Sequence, residues 1–146
     1  MRKKVFGRNF SRGTRSRRAL FRSLLKALIV NGKIVTTKAK AKAMQKDLEK
    51  LVVLSKDGSL ASRRNALSML ANKRELTEKL FNKIGPVFDK RKSGFTRSIN
   101  LGRRLGDGAE MVRIEWTEEV PEKDESKKDE AEKPKKTLKK ATKKVK

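Results

Sequence analysis

Fifteen lysine and arginine residues, from Arg2 to Lys46, precede the first carboxylate, Asp47. A first third with one sign of charge has no internal ion pairs to draw on, and its self-repulsion opposes compaction until an external polyanion relieves it. The remainder differs, because residues 47–121 hold 15 basic and 11 acidic groups, the near balance of a folded surface, while residues 122–146 hold 11 and 6. This distribution predicts a basic, unfolded N-terminal arm over residues 1–18, a folded body over 19–120 and a charged, disordered tail over 121–146. With a net charge of +24, attraction to phosphate dominates first encounters with any partner.

Several classes of function are disfavoured at once. The chain has no Cys, His or Tyr, so neither a disulfide framework nor thiolate metal ligation is available, and no side chain titrates near neutrality without strong perturbation. The acidic pairs Asp107 with Glu110 and Glu118 with Glu119 are explained more simply by a hairpin connection and a strand end than by catalysis. Gly7 to Gly13-Thr14 imitates a phosphate loop only superficially, since no Lys precedes the Thr and no buried strand leads in. No apolar run approaches the roughly 20 residues that span a bilayer. We therefore expect no enzyme activity, no cofactor or metal, no small-molecule substrate and no membrane span.

Periodicity in the body predicts an α+β fold of about four helices with a small two- or three-stranded sheet. Leu20, Leu24 and Leu28, with Phe21, Leu25 and Ile29 beside them, form one wide helical stripe that Thr14 or Ser16 can cap and Asn31-Gly32 can stop. Lys33 to Thr37 is short and β-branched and reads as a strand leading into a second helix, capped by Thr37, with Met44, Leu48, Leu51 and Val52 inward. Asp57-Gly58-Ser59 breaks the pattern before a third helix with Leu60, Leu67, Leu70 and Ala71 in register. Asn72 and Glu75 have the spacing of a capping box opening a fourth helix, with Leu76, Leu80, Phe81 and Ile84 inward, which Gly85-Pro86 ends or bends. Beyond it the alternation of Val112, Ile114 and Trp116 marks a half-buried strand, Phe95 to Leu101 is a weaker strand, and Gly102 to Gly108 is the turn between them.

The candidate chemistry is binding. Arg2, Lys3, Lys4, Arg8, Arg12, Arg15, Arg17, Arg18 and Arg22 supply charge, and the arginines add planar forks that engage phosphate in bidentate fashion. Phe6 and Phe10, set among them, can stack on unpaired bases or pack on the first helix. Lys38, Lys42 and Lys46 share one face of the second helix, with Lys40 between them, and Arg103 and Arg104 sit at the hairpin tip. Charge alone does not choose between DNA and RNA. A basic arm on a compact body suits the crevices of a large folded RNA, and a nucleoid-type, DNA-binding architectural protein is the alternative.

Taken together, Gly7-Arg8, Arg12, Arg17, Ala19-Leu20-Phe21-Arg22, Ile34-Val35-Thr36-Thr37 and Lys40-Ala41-Lys42 resemble the bacterial large-subunit ribosomal protein family numbered seventeen. Arg63-Arg64, Lys79-Leu80-Phe81-Asn82, Gly85-Pro86, Gly94-Phe95-Thr96-Arg97 and Gly106-Asp107 continue the likeness in order and spacing, over about residues 1–117. The resemblance implies a cytoplasmic, structural, non-enzymatic constituent of the large ribosomal subunit. It implies contacts with large-subunit ribosomal RNA and with neighbouring ribosomal proteins near the nascent-chain exit region, and it adds Arg63, Arg64 and Arg97 to the candidate RNA contacts.

Overall fold

In the computed structural model, which describes residues 8–121, two helices pack against one face of a three-stranded antiparallel sheet and two more pack on those helices. The elements run α1 (Thr14–Asn31), β1 (Lys33–Thr37), α2 (Lys38–Asp57), α3 (Leu60–Met69), α4 (Arg74–Lys79), β2 (Thr96–Arg103) and β3 (Glu110–Trp116). Strand order is β1-β3-β2, so the last strand in sequence is the central one. The register pairs Ile34 with Ile114 and Thr36 with Val112. This places Ile34, Thr36, Val112, Ile114 and Trp116, all buried, toward the helices, as the predicted alternation requires.

Helix α2 is the hub, in contact with α1, α3, β1, β3 and the segment that follows α4. Its Met44, Leu48, Leu51 and Val52 are fully buried, and Leu25, Leu28 and Ile29 of α1 meet them in one core. The lower end of the sheet is closed by aromatics: Phe88 packs edge-on against Phe95 at 5.4 Å and tilted against Trp116 at 5.6 Å between ring centroids.

The structure changes the expected pattern at several points. Helix α1 starts at Thr14 with Gly13 as its N-cap and no side-chain cap, so Arg15, Arg17 and Arg18 stand on a helix rather than in an extended arm. Thr37 is at the N-cap of α2 without a side-chain bond. Leu60 is exposed, and the buried residues of α3 are Ser62 and Ala66, followed by Leu70 just past its end. The phase is set by Ser59, whose Oγ accepts from the Ser62 N–H at 3.1 Å, and Ser62 tolerates burial because its hydroxyl donates to the Asp57 carboxylate. Both serine hydroxyls, Ser62 more than Ser59, hold the Asp57 carboxyl below its usual range.

Asn72 does not open α4. Ala71 and Asn72 adopt φ of 56° and 59°, Ala71 is exposed, and the Asn72 N–H donates back to Leu67 O at 2.8 Å. These residues thus close α3, and the N-cap of α4 is Lys73, with no side-chain bond. Gly85-Pro86 does not end the fourth helix either. The chain passes from α4 through a π-helical turn, Leu80–Ile84, into a last α turn, Gly85–Val87. The wider turn carries the Gly85 N–H to Leu80 O, which accommodates a proline that lacks a donor. Gly85 is needed for close approach, since a Cβ there would lie 3.1 Å from Ser55 Oγ and 3.2 Å from Ser55 O on α2.

Candidate nucleic-acid interface

Of the predicted contact residues, Arg2, Lys3, Lys4 and Phe6 lie outside the described residues, as does the tail beyond residue 121. The rest of the arm folds back. Phe10 and Ser11 take positive φ of 56° and 51°, and this reversal sets the Phe10 ring edge-on against Phe21 of α1 at 6.1 Å. Arg12 Nη1 donates to Phe10 O at 2.9 Å and Arg17 Nε to Arg8 O at 2.8 Å. The Arg17 guanidinium also lies over the Phe21 ring at 4.9 Å, a cation–π contact. Of the two roles open to Phe10, packing on the first helix is the one the structure shows.

The reversal brings Arg8 to the start of α2, where it lines a cleft with Thr37, Lys38, Ala39, Lys42, Ala43, Ala109 and Glu110. Lys38 and Lys42 also face the adjoining cleft between α2 and β2, lined further by Gln45, Arg97, Ser98 and Asn100. Arg8, Lys38 and Lys42 therefore border one continuous tract, whereas the Arg97 guanidinium is turned to Glu115 on the outer sheet face. Lys46 is exposed on the same helix row, whereas Lys40 is half-buried off it.

Lys38 and Arg97 already hold carboxylates. Lys38 Nζ meets Glu110 at 2.8 Å and Arg97 Nε meets Glu115 at 2.6 Å. Lys38 holds the Glu110 carboxyl below its usual range, and Arg97 does the same for Glu115. The Lys38 pair is more than half exposed on both sides, and such pairs contribute little to stability, so phosphate can replace Glu110 at small cost.

A second basic groove runs between α1 and the end of α3, lined by Arg17, Arg18, Phe21, Arg22, Leu25, Asp47, Ser68 and Met69. Arg22 Nη2 donates to Ser68 O at 3.0 Å, which joins the two helices and satisfies a terminal carbonyl of α3. Arg15 is exposed on the first turn of α1. The remaining predicted residues are dispersed. Arg63 lies over the Phe81 ring at 4.8 Å, Arg64 is exposed on α3, and Arg103 ends β2. Arg104 is bound to Asp107 through Nε at 3.1 Å and Nη2 at 2.6 Å.

The sequence reading missed Gln45, Ser98 and Asn100, polar groups of the α2–β2 cleft that carry no charge signal. It also missed Arg113, which the register places between Val35 and Ile99 on the outer sheet face; the alternation of β3 was signal enough to find it. Among the described residues no cluster of three or more potential metal-ligating His, Cys, Asp or Glu side chains occurs, and no helix is long and apolar enough to cross a membrane.

The chain can be set beside known proteins on this geometry. The family model for ribosomal protein L17 matches residues 20–117. The large ribosomal subunit protein bL17 of Thermodesulfovibrio yellowstonii is 45% identical over 130 residues, covering 89% of this chain and 97% of that protein. Its counterpart from Hydrogenobaculum sp. is 44% identical over 119 residues, 81% of this chain and 100% of that protein, and the one from Koribacter versatilis is 45% identical over 115 residues, 79% and 71%. The matched span contains α1 from Leu20 onward through β3, including Lys38, Lys42 and Arg22 but not Arg8, Arg17 or Arg18, and the chain belongs to the ribosomal protein L17 family.

Proposed function

We propose that this chain is a structural constituent of the bacterial large ribosomal subunit, in the cytoplasm, and that its two basic grooves hold phosphates of the large-subunit RNA. The observation that carries the second part is the convergence of Arg8 from the arm with Lys38 and Lys42 of α2 on one tract, beside the polar Gln45, Ser98 and Asn100. Isolated surface lysines need no partner to explain them, whereas Arg8, Lys38 and Lys42 share this tract with one carboxylate, Glu110, which Lys38 already holds, and the positive charge left over is offset when an anion enters. The arginine forks of the second groove, Arg17, Arg18 and Arg22, suit the non-bridging oxygens of an RNA backbone, and the sequence of residues 1–7 adds three further cations.

In this reading the protein does no covalent chemistry. It neutralises phosphates where RNA segments approach and fixes their relative positions, with the body beside neighbouring ribosomal proteins near the exit region. The family membership favours this over a nucleoid-type role, for which only the net charge argued.

The chain has no cysteine, so Lys42→Cys provides a unique tether for an Fe–EDTA cleavage reagent. In reconstituted large subunits the tethered iron is expected to cut large-subunit RNA at a small number of clustered positions. A tether at Val53→Cys, on the opposite half of α2 and half exposed, provides the comparison. Absence of RNA cleavage from position 42 in subunits that contain the protein would rule out the groove assignment.

A further inference from the structure

The β2–β3 turn carries more internal bonding than an exposed loop requires. Besides the two bonds from Arg104 to Asp107, the Arg104 N–H donates to Ala109 O at 2.9 Å and the Gly108 N–H to Arg104 O at 3.0 Å. The Ala109 N–H donates in turn to Asp107 Oδ1 at 3.2 Å. Gly102, Gly106 and Gly108 take φ of 94°, 102° and 62°, values that suit glycine and fix the path of the chain. The group that this framework presents is Leu105, 98% exposed, with Leu101 48% exposed where the strand register shifts.

A single exposed leucine on a loose loop calls for no explanation. A leucine held almost wholly in water by a closed set of side-chain and backbone bonds is pre-organised for burial elsewhere, because the ordering cost of binding has been met within the free protein.

The charge at the tip identifies the kind of partner. Arg104 and Asp107 neutralise each other, Arg103 stands opposite Glu110 at the base of the turn, and Leu105, Gly106, Gly108 and Ala109 carry no charge. The Arg104 bonds and the Ala109 N–H hold the Asp107 carboxyl down to about 2, so it is an anion at every physiological pH. Within a chain of net charge +24 this tip is a neutral apolar knob backed by a fixed carboxylate. It offers a phosphate surface no net positive charge, in contrast to the Lys38 and Lys42 tract. We infer that the tip of the β2–β3 hairpin is a protein-docking knob, with Leu105 seated in an apolar notch on a neighbouring protein of the large subunit. The inference rests on the ribosomal reading above.

The test places a small diazirine amino acid, near leucine in size, at position 105 of the full-length chain, followed by irradiation of salt-washed large subunits. Crosslinks to one ribosomal protein are the expected result. Crosslinks confined to RNA, or none from subunits that contain the probe, overturn the inference. In parallel, Leu105→Asp and Leu105→Met compete with the unaltered chain for subunits. Leu105→Asp is expected to lose about tenfold or more in occupancy, with Leu105→Met near parity. Equal occupancy for Leu105→Asp overturns the inference, and its unchanged circular dichroism, expected for a side chain with no internal contacts to lose, separates docking from folding. Failure of the unaltered chain itself to enter large subunits would instead overturn the ribosomal reading, and the inference with it.

Discussion

An aromatic residue in a run of arginines has two competing uses, and Phe10 shows which one local chemistry selects. Its ring lies against Phe21 while Arg12 and Arg17 bond the backbone on either side. Phe10→Ala is therefore expected to lower the stability of the free protein by about 1–2 kcal/mol, as for a half-buried aromatic pair, measured by urea unfolding without RNA. No change would return Phe10 to a stacking role. Gly85 makes the opposite kind of demand: Gly85→Ala brings a methyl against the Ser55 backbone oxygen, and a loss of about 1–3 kcal/mol is expected in the same assay. Residues such as Met44, Leu48, Val112 and Ile114 were legible in the sequence because their spacing alone states their orientation. Phe10 and Gly85 were not, because the atoms that decide their roles lie 11 and 30 positions away.

Among elements, β1, α2 and β3 were readable since propensity, periodicity and stop signals agreed there. The reading failed where one local signal was ambiguous. Asn72 has the form of a cap but serves the helix before it, and Gly85-Pro86 has the form of a stop but is absorbed by a π turn. The hairpin tip is the element most open to titration. Asp107 is depressed from its ordinary 3.8 to about 2 by its bonds to Arg104 and Ala109. A carboxyl with a lowered folded value stabilises the turn above the unfolded value and loses that contribution as pH falls from about 3.8 through about 2. The Ala109 amide signal in NMR is thus expected to move with a midpoint near 2, and Asp107→Asn to abolish the transition. A midpoint near 3.8 would mean that the turn is open in solution.

For the whole molecule, the controlling fact is that cations from distant parts of the chain share surfaces, while most of the described carboxylates near them are tied to particular partners. The sequence revealed the charge and the family resemblance, but the tract of Arg8, Lys38 and Lys42 required the fold, because Arg8 lies 30 and 34 positions from the two lysines. The central claim is that this charge holds the protein within the large subunit through many phosphate contacts reinforced by shape. Each contact released contributes ~0.7–0.9 to the log–log salt slope, so an electrostatic passenger is stripped early in a salt series. The most direct measurement is sedimentation of a bacterial lysate through sucrose gradients at rising salt, with the protein followed across the fractions. The account predicts that it stays with the large subunit through a high-salt wash. Release to the top of the gradient at modest salt, or migration with DNA, would contradict it.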